Sequence, residues 1–267
     1  MKILLTFFGL AYIISWTIWL PLYSPLFGIS LPVLPYQHAL GGLGPMMAAF
    51  ITTGIYYKKD GVVDLLSRCA QLKPVKYLVL ALIGPFVLIL IASGISHLLN
   101  GVPVNLNEIF SNKEFPEFTL FSFFLYNLFF FGFGEETGWR GLVLPILQKN
   151  FNALVSTVVL TIFWALWHLP LFFYRPGYTA MQEAGIAGWF FSLLTGSVLL
   201  TWLNNSTKGS ILICAVFHAT IDIVFTSDIA DKGMTNYLGF LITLWGILTI
   251  FFFKPRNLAS VQRIVNE

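Results

Sequence analysis

Charge is scarce in this chain. Asp, Glu, Lys and Arg make up 10% of its 267 residues, against about 25% in soluble domains, which excludes an ordinary water-soluble domain. Cysteine is nearly absent as well. Cys69 falls in a polar connection and Cys214 in an apolar run, so neither a disulfide nor a cysteine-built metal site is expected. No repeat recurs at a fixed period and no low-complexity linker divides the chain, so one domain, 1–267, is expected. No basic stripe interleaved with aromatics is present, which leaves nucleic acid out as a partner.

Hydrophobic residues, by contrast, make up 57% of the chain. Reading apolar runs of roughly 18 residues or more as membrane spans predicts an all-α, polytopic membrane protein. Eight spans are expected, at about 3–22, 39–57, 76–98, 118–147, 152–173, 186–203, 210–227 and 236–253. The first begins just after Lys2 and has no small-x-small cleavage site close behind it, so it reads as a retained span. Between the second and third spans, Asp60, Asp64 and Arg68 recur at i, i+4, the spacing of a short surface helix.

Lys and Arg set the orientation. With the N-terminus inside, Lys2, Lys58, Lys59, Arg68, Lys73, Lys76, Arg140, Lys149, Lys208, Lys254, Arg256 and Arg263 fall on the inner side. Only Lys113, Arg175 and Lys232 fall outside, with Glu108, Glu114, Glu117, Glu183, Asp228 and Asp231. An integral protein of a bacterial cell membrane with both termini cytoplasmic is the expectation, and the bilayer is its first partner.

The few ionisable residues inside the spans form three constellations. In "GFGEETGWRG", Glu136 and Arg140 are i, i+4 and share a helix face, while Glu135 points about 100° away from Glu136. Glu136 is expected to be neutralised by Arg140, and Glu135 to face elsewhere without a partner. An intramembrane charge costs about 2.5–3.5 kcal/mol even on a lenient scale, and an ion pair that merely fixes packing does not explain a second carboxylate. Gly132, Gly134, Gly138 and Gly141 would let another backbone or a substrate approach. In "FWALWHLP", Trp164 and His168 are i, i+4, so the indole can cover the imidazole, and Pro170 weakens the helix beyond. In "AVFHATID", His218 and Asp222 are i, i+4, and Asp222 could accept a hydrogen bond from His218 and set its tautomer. His38 and His97 lie near span ends and are read as interfacial, with no special task.

Depth suggests that the three constellations meet. With the fourth span taken as one helix from Phe118 to Leu147, Glu135 lies about 18 Å from its inner end. His168 lies about 24 Å in, and His218 and Asp222 about 14 and 20 Å. A cavity facing the cytoplasm is compatible with these depths.

At these residues the chain resembles the CAAX-prenyl-endopeptidase and bacteriocin-processing family of intramembrane proteases, abbreviated CPBP or Abi. That family's pattern is Glu-Glu-x-x-x-Arg, then Phe-x-x-x-His, then His-x-x-x-Asn or Asp. Here the pattern reads Glu135, Glu136 and Arg140, then Trp164 and His168, then His218 and Asp222, with Trp164 standing where Phe is usual. The resemblance covers mainly Tyr126 to Asp222 and implies a glutamate-dependent endopeptidase. Its substrate would be a membrane-associated or lipidated protein or peptide. It implies that Glu135 and His168 activate water, that His218 and Asp222 serve the oxyanion side, and that Glu136, Arg140 and Trp164 support them. No cofactor is expected under that reading. Zinc is the rival, since two His and two carboxylates could bind it, although no His-Glu-x-x-His stretch exists. A transporter using midplane carboxylates and a bacteriocin-immunity protein without turnover are the non-enzymatic alternatives.

Overall fold

A computed structural model describes residues 1–230 and 233–265 of the chain. Asp231 and Lys232, expected on the outer side, lie outside the described residues. The described residues are helical and contain no strand. In order they form α1 (Lys2–Tyr23), α2 (Gln37–Gly42), α3 (Gly44–Cys69), α4 (Val75–Asn100), α5 (Leu120–Asn127), α6 (Gly134–Gly138) and α7 (Leu144–Asn150). There follow α8 (Ala153–Trp167), α9 (Leu171–Tyr174), α10 (Pro176–Thr179), α11 (Glu183–Ser206), α12 (Ile211–Thr226) and α13 (Thr235–Asn257).

Six of these helical stretches are long and apolar enough to cross a membrane: Lys2–Phe27, Gln37–Cys69, Val75–Asn100, Ala153–Tyr174, Glu183–Ser206 and Thr235–Asn257. The other two expected spans have a different character. Residues 210–227 become α12, only 16 residues long. Residues 118–147 become a rod rather than one regular helix, because wide π-helical turns at Leu128–Phe133 and Trp139–Val143 bracket α6. A π turn carries an extra residue per turn and re-aims the side chains beyond it.

The rod runs through the middle of the bundle, and its glycines explain how closely it is gripped. A Cβ on Gly132 would lie 2.5 Å from the carbonyl oxygen of Ala215 on α12, and one on Gly134 would lie 2.6 Å from that of Gly42. Backbone therefore packs on backbone just ahead of the two glutamates, against α12 and against α2, which no larger residue permits. The glycines admit neighbouring chain, rather than substrate. Around the rod, Phe7, Trp139, Trp167, Leu199, Leu203, Ile213 and Phe217 form one buried apolar cluster.

Elsewhere local sequence signals decide the breaks. Asn152 caps α8 by accepting from the Val155 N–H, and Ser210 caps α12 by accepting from that of Ile213. Lys58 adopts φ 58° within α3, which separates the apolar segment from the surface helix that Asp60, Asp64 and Arg68 predicted. The Arg68–Asp64 pair closes there at 2.9 Å. Cys69 and Cys214 are free.

The two ends of the bundle are tied by different loops. At one end Gln71, Gln148, Asn205, Thr207 and Ile264 are cross-linked through side-chain to backbone hydrogen bonds. At the other, Asp228 accepts from the Ser111 hydroxyl and the Lys113 N–H, and Arg175 holds Glu114 with both guanidinium nitrogens.

Candidate active site

All the candidate residues except His168 lie in α6, α8, α12 and the second π turn. His168 is the residue that ends α8: the helix stops where Pro170 approaches, as expected. Its Nδ1 lies 2.7 Å from the Trp164 carbonyl oxygen. A carbonyl only accepts, so Nδ1 carries the proton, and the neutral ring presents the lone pair of Nε2. The imidazole is boxed by aromatic rings. Trp167 stands edge-on at 4.9 Å between centroids, and Tyr178 stacks at 6.3 Å with an interplanar angle of 16°.

Glu135 is buried but not alone. The indole Nε1 of Trp164 donates to its Oε2 at 2.6 Å. This corrects the expectation of an unpartnered carboxylate: half of the group is held, and among the described residues Oε1 is the oxygen without a protein donor. Trp164 also does more than cover His168. Its ring lies 5.7 Å from the His168 ring and 5.8 Å from that of His218, and the Arg140 guanidinium sits 4.5 Å above it.

Glu136 and Arg140 are fully buried and paired at 3.0 Å, as the i, i+4 spacing predicted. Arg140 makes a second bond to the Ser197 hydroxyl of α11 at 2.8 Å, which sequence spacing had no means of indicating. Glu136 has a further task. Its Oε1 also accepts from His218 Nδ1, at 2.7 Å. The tautomer of His218 is therefore set by Glu136 and not by Asp222. Asp222 Oδ2 stands 3.6 Å from His218 Nε2, too far for a hydrogen bond. The expectation is corrected for a geometric reason: the rod brings a buried carboxylate closer to the imidazole than its own helix does.

Glu135, His168, His218 and Asp222 line one cavity of about 160 Å³. Trp164, Glu136 and Arg140 form the layer behind it. His38, read as interfacial, belongs to the cavity wall, with Nδ1 2.8 Å from the Tyr174 hydroxyl. Tyr178, Arg175 and Glu114 also line it, and no local pattern singled them out because all three sit in or beside connections. His97, exposed at the end of α4, is remote from the cavity, as expected.

The cavity lining grows more exposed in one direction. Along α12, His218 is buried, Asp222 has 30% of its side chain exposed and Thr226 is exposed. Glu114 and Arg175 line the cavity in the same direction, and both side chains are partly exposed. Toward the other end, every residue from Gly134 to Pro145 is buried, as is every residue from Ser197 to Thr207. A second hollow there, lined by Thr53, Tyr57, Arg68 and Val265, touches none of the four groups. Glu114 and Arg175 belong to connections that the Lys and Arg orientation would place outside, whereas the depths alone were compatible with a cavity facing the cytoplasm.

Residues 117–224 match the sequence model of the Rce1-like family, described as type II CAAX prenyl endopeptidase Rce1-like. That stretch holds every candidate site residue. The CAAX prenyl protease 2 of Methanococcus maripaludis is 31% identical over 93 residues, which are 33% of this chain and 34% of that protein. The match thus spans about one third of that relative's length. Over these residues the similarity read from the three motifs is the one the comparisons find.

Proposed function

We propose that this chain is an intramembrane endopeptidase that hydrolyses peptide bonds of membrane-associated or lipidated polypeptides. The observation that carries the proposal is the convergence of Glu135, His168, His218 and Asp222, from three separate helical elements, on one cavity. The similarity of residues 117–224 to CAAX prenyl endopeptidases supports the reaction class. The eight-pass topology and cytoplasmic termini belong to this reading, with the rod and α12 as the two short or interrupted passes.

The chemistry follows from which atoms are left uncommitted. A water molecule held between Glu135 Oε1 and His168 Nε2 would meet two acceptors, so both of its protons can be drawn away from the attacking oxygen. Glu135 takes one proton as that oxygen bonds to the scissile carbonyl carbon. The carbonyl becomes an oxyanion beside His218. With Nδ1–H held by Glu136, His218 donates to the oxyanion from Nε2 when it carries both protons. Collapse of the tetrahedral species breaks the C–N bond, and the proton held by Glu135 passes to the leaving nitrogen. One carboxylate and one amine result, with no other reactant consumed.

Zinc remains the rival for the same groups, with activity in the presence of a chelator as the discriminating measurement. The proposal itself is tested by comparing the termini of membrane proteins in cells carrying the wild type or Glu135→Ala at matched abundance. Termini that require Glu135 support it. Identical termini, with both proteins folded, shift the account toward the transporter and immunity readings.

A further inference from the structure

Two features of the molecule bear on each other: where the cavity opens, and how cationic residues are divided between the ends of the bundle. The fold makes the division a property of a folded object. Gln71, Gln148, Asn205 and Ile264 interlock at the sealed end, and Ser111, Asp228, Glu114 and Arg175 at the open end. Arg140 is buried within the bundle and counts for neither. Of the remaining Lys and Arg, eleven belong to segments at the sealed end and three to those at the open end, Lys232 among the latter by sequence alone. Short loops rich in Lys and Arg stay on the cytoplasmic side of a membrane, and this imbalance favours the sealed end as the cytoplasmic one.

The burial pattern fixes the other half. From Glu135 toward the sealed end the rod is enclosed on every side, while the face of α12 grows steadily more exposed from His218 through Asp222 to Thr226. The exposed part of the cavity lining faces the end that carries few cations, which gives water and an unfolded peptide segment a route in from there. At that mouth one cation, Arg175, is matched by Glu114, so the entrance is not a strongly charged funnel.

We infer that the site works on the extracytoplasmic side of the membrane. Its substrate class is then a membrane-anchored polypeptide whose cut segment lies outside the cytoplasm, at or just within the outer surface of the bilayer. Proteins anchored to the inner surface, with their cleavable segment in the cytosol, fall outside that class. The substrate class rests on the endopeptidase reading, but the orientation does not.

Cysteine labelling tests the orientation in intact cells expressing the full chain. Glu117→Cys and Ala180→Cys place thiols in two different exposed loops at the open end, and Lys59→Cys places one at the sealed end. The wild type, with Cys214 buried and Cys69 half-buried, sets the background. A membrane-impermeant sulfonated maleimide should label Glu117→Cys and Ala180→Cys without permeabilisation and Lys59→Cys only after it. Using two loops keeps the test decisive if one variant does not fold. The opposite labelling pattern overturns the inference.

Mapping the Glu135-dependent cleavage sites in the same cells tests the substrate class. Sites in extracytoplasmic segments support it, and sites in cytosolic segments overturn it. If no cleavage depends on Glu135, the endopeptidase reading fails and takes the substrate class with it, while the labelling result stands or falls by itself.

Discussion

The indole N–H of Trp164 donates to Glu135 Oε2 at 2.6 Å, while the backbone carbonyl of the same residue accepts from His168 Nδ1 at 2.7 Å. One residue thus orients both groups proposed to activate water. Arg140, 4.5 Å above the ring, draws electron density from the indole and makes its N–H a better donor.

Trp164→Phe keeps a ring under Arg140 and beside His168 but removes the donor. A hydrogen bond to a charged group contributes about 1.5–3 kcal/mol, so kcat should fall roughly 10–150-fold. KM should not change, because the lost contact acts on the water-activating group and not on the peptide. Steady-state kinetics on reconstituted protein check this. An unchanged kcat would leave Trp164 as packing only.

Arg140→Ala leaves Glu136 buried with His218 as its remaining partner. Removing one member of a buried ion pair typically costs about 3–5 kcal/mol, and Arg140 is also bonded to Ser197. The variant should unfold at clearly lower temperature in detergent than Glu135→Gln, which changes a group at the cavity wall. Equal melting temperatures would contradict the division of labour between the two glutamates.

Asp222 lies beside the oxyanion side without bonding His218. Asp222→Asn keeps size and polarity and supplies an N–H where the oxyanion forms, so it should keep most of the activity. Asp222→Ala should lose at least about tenfold, the scale set by one transition-state hydrogen bond. Full activity in the alanine variant would remove Asp222 from the mechanism.

A chelator should leave the rate unchanged, because the proposed mechanism assigns every proton and charge to side chains. Loss of activity on chelation, restored by zinc, would favour the metalloprotease reading of the same residues.

Much of this site was legible in the sequence. Intramembrane charges are costly, so the few present stood out, and helical rise alone brought Glu135, His168, His218 and Asp222 to similar depth. The Glu136–Arg140 pair followed from spacing, and the end of α8 from Pro170. Helical wheels failed where pairing crosses between helices. Glu135 meets Trp164 and Glu136 meets His218 because the π turns and the glycine contacts fix the rotation of the rod, and neither leaves a distinctive local pattern. His38, Tyr178 and Arg175 reach the cavity from helix ends and connections, whose placement depends on tertiary packing rather than on period.

The most direct test of the account is the turnover of Glu135→Gln on a substrate the wild type cleaves, with both proteins reconstituted and shown to melt alike. A positioned general base contributes roughly 10²–10⁴-fold, so the account predicts a loss of at least about 10²-fold in kcat. A Gln variant that turns over at the wild-type rate would contradict it, and would require another group in the cavity to take the proton from water.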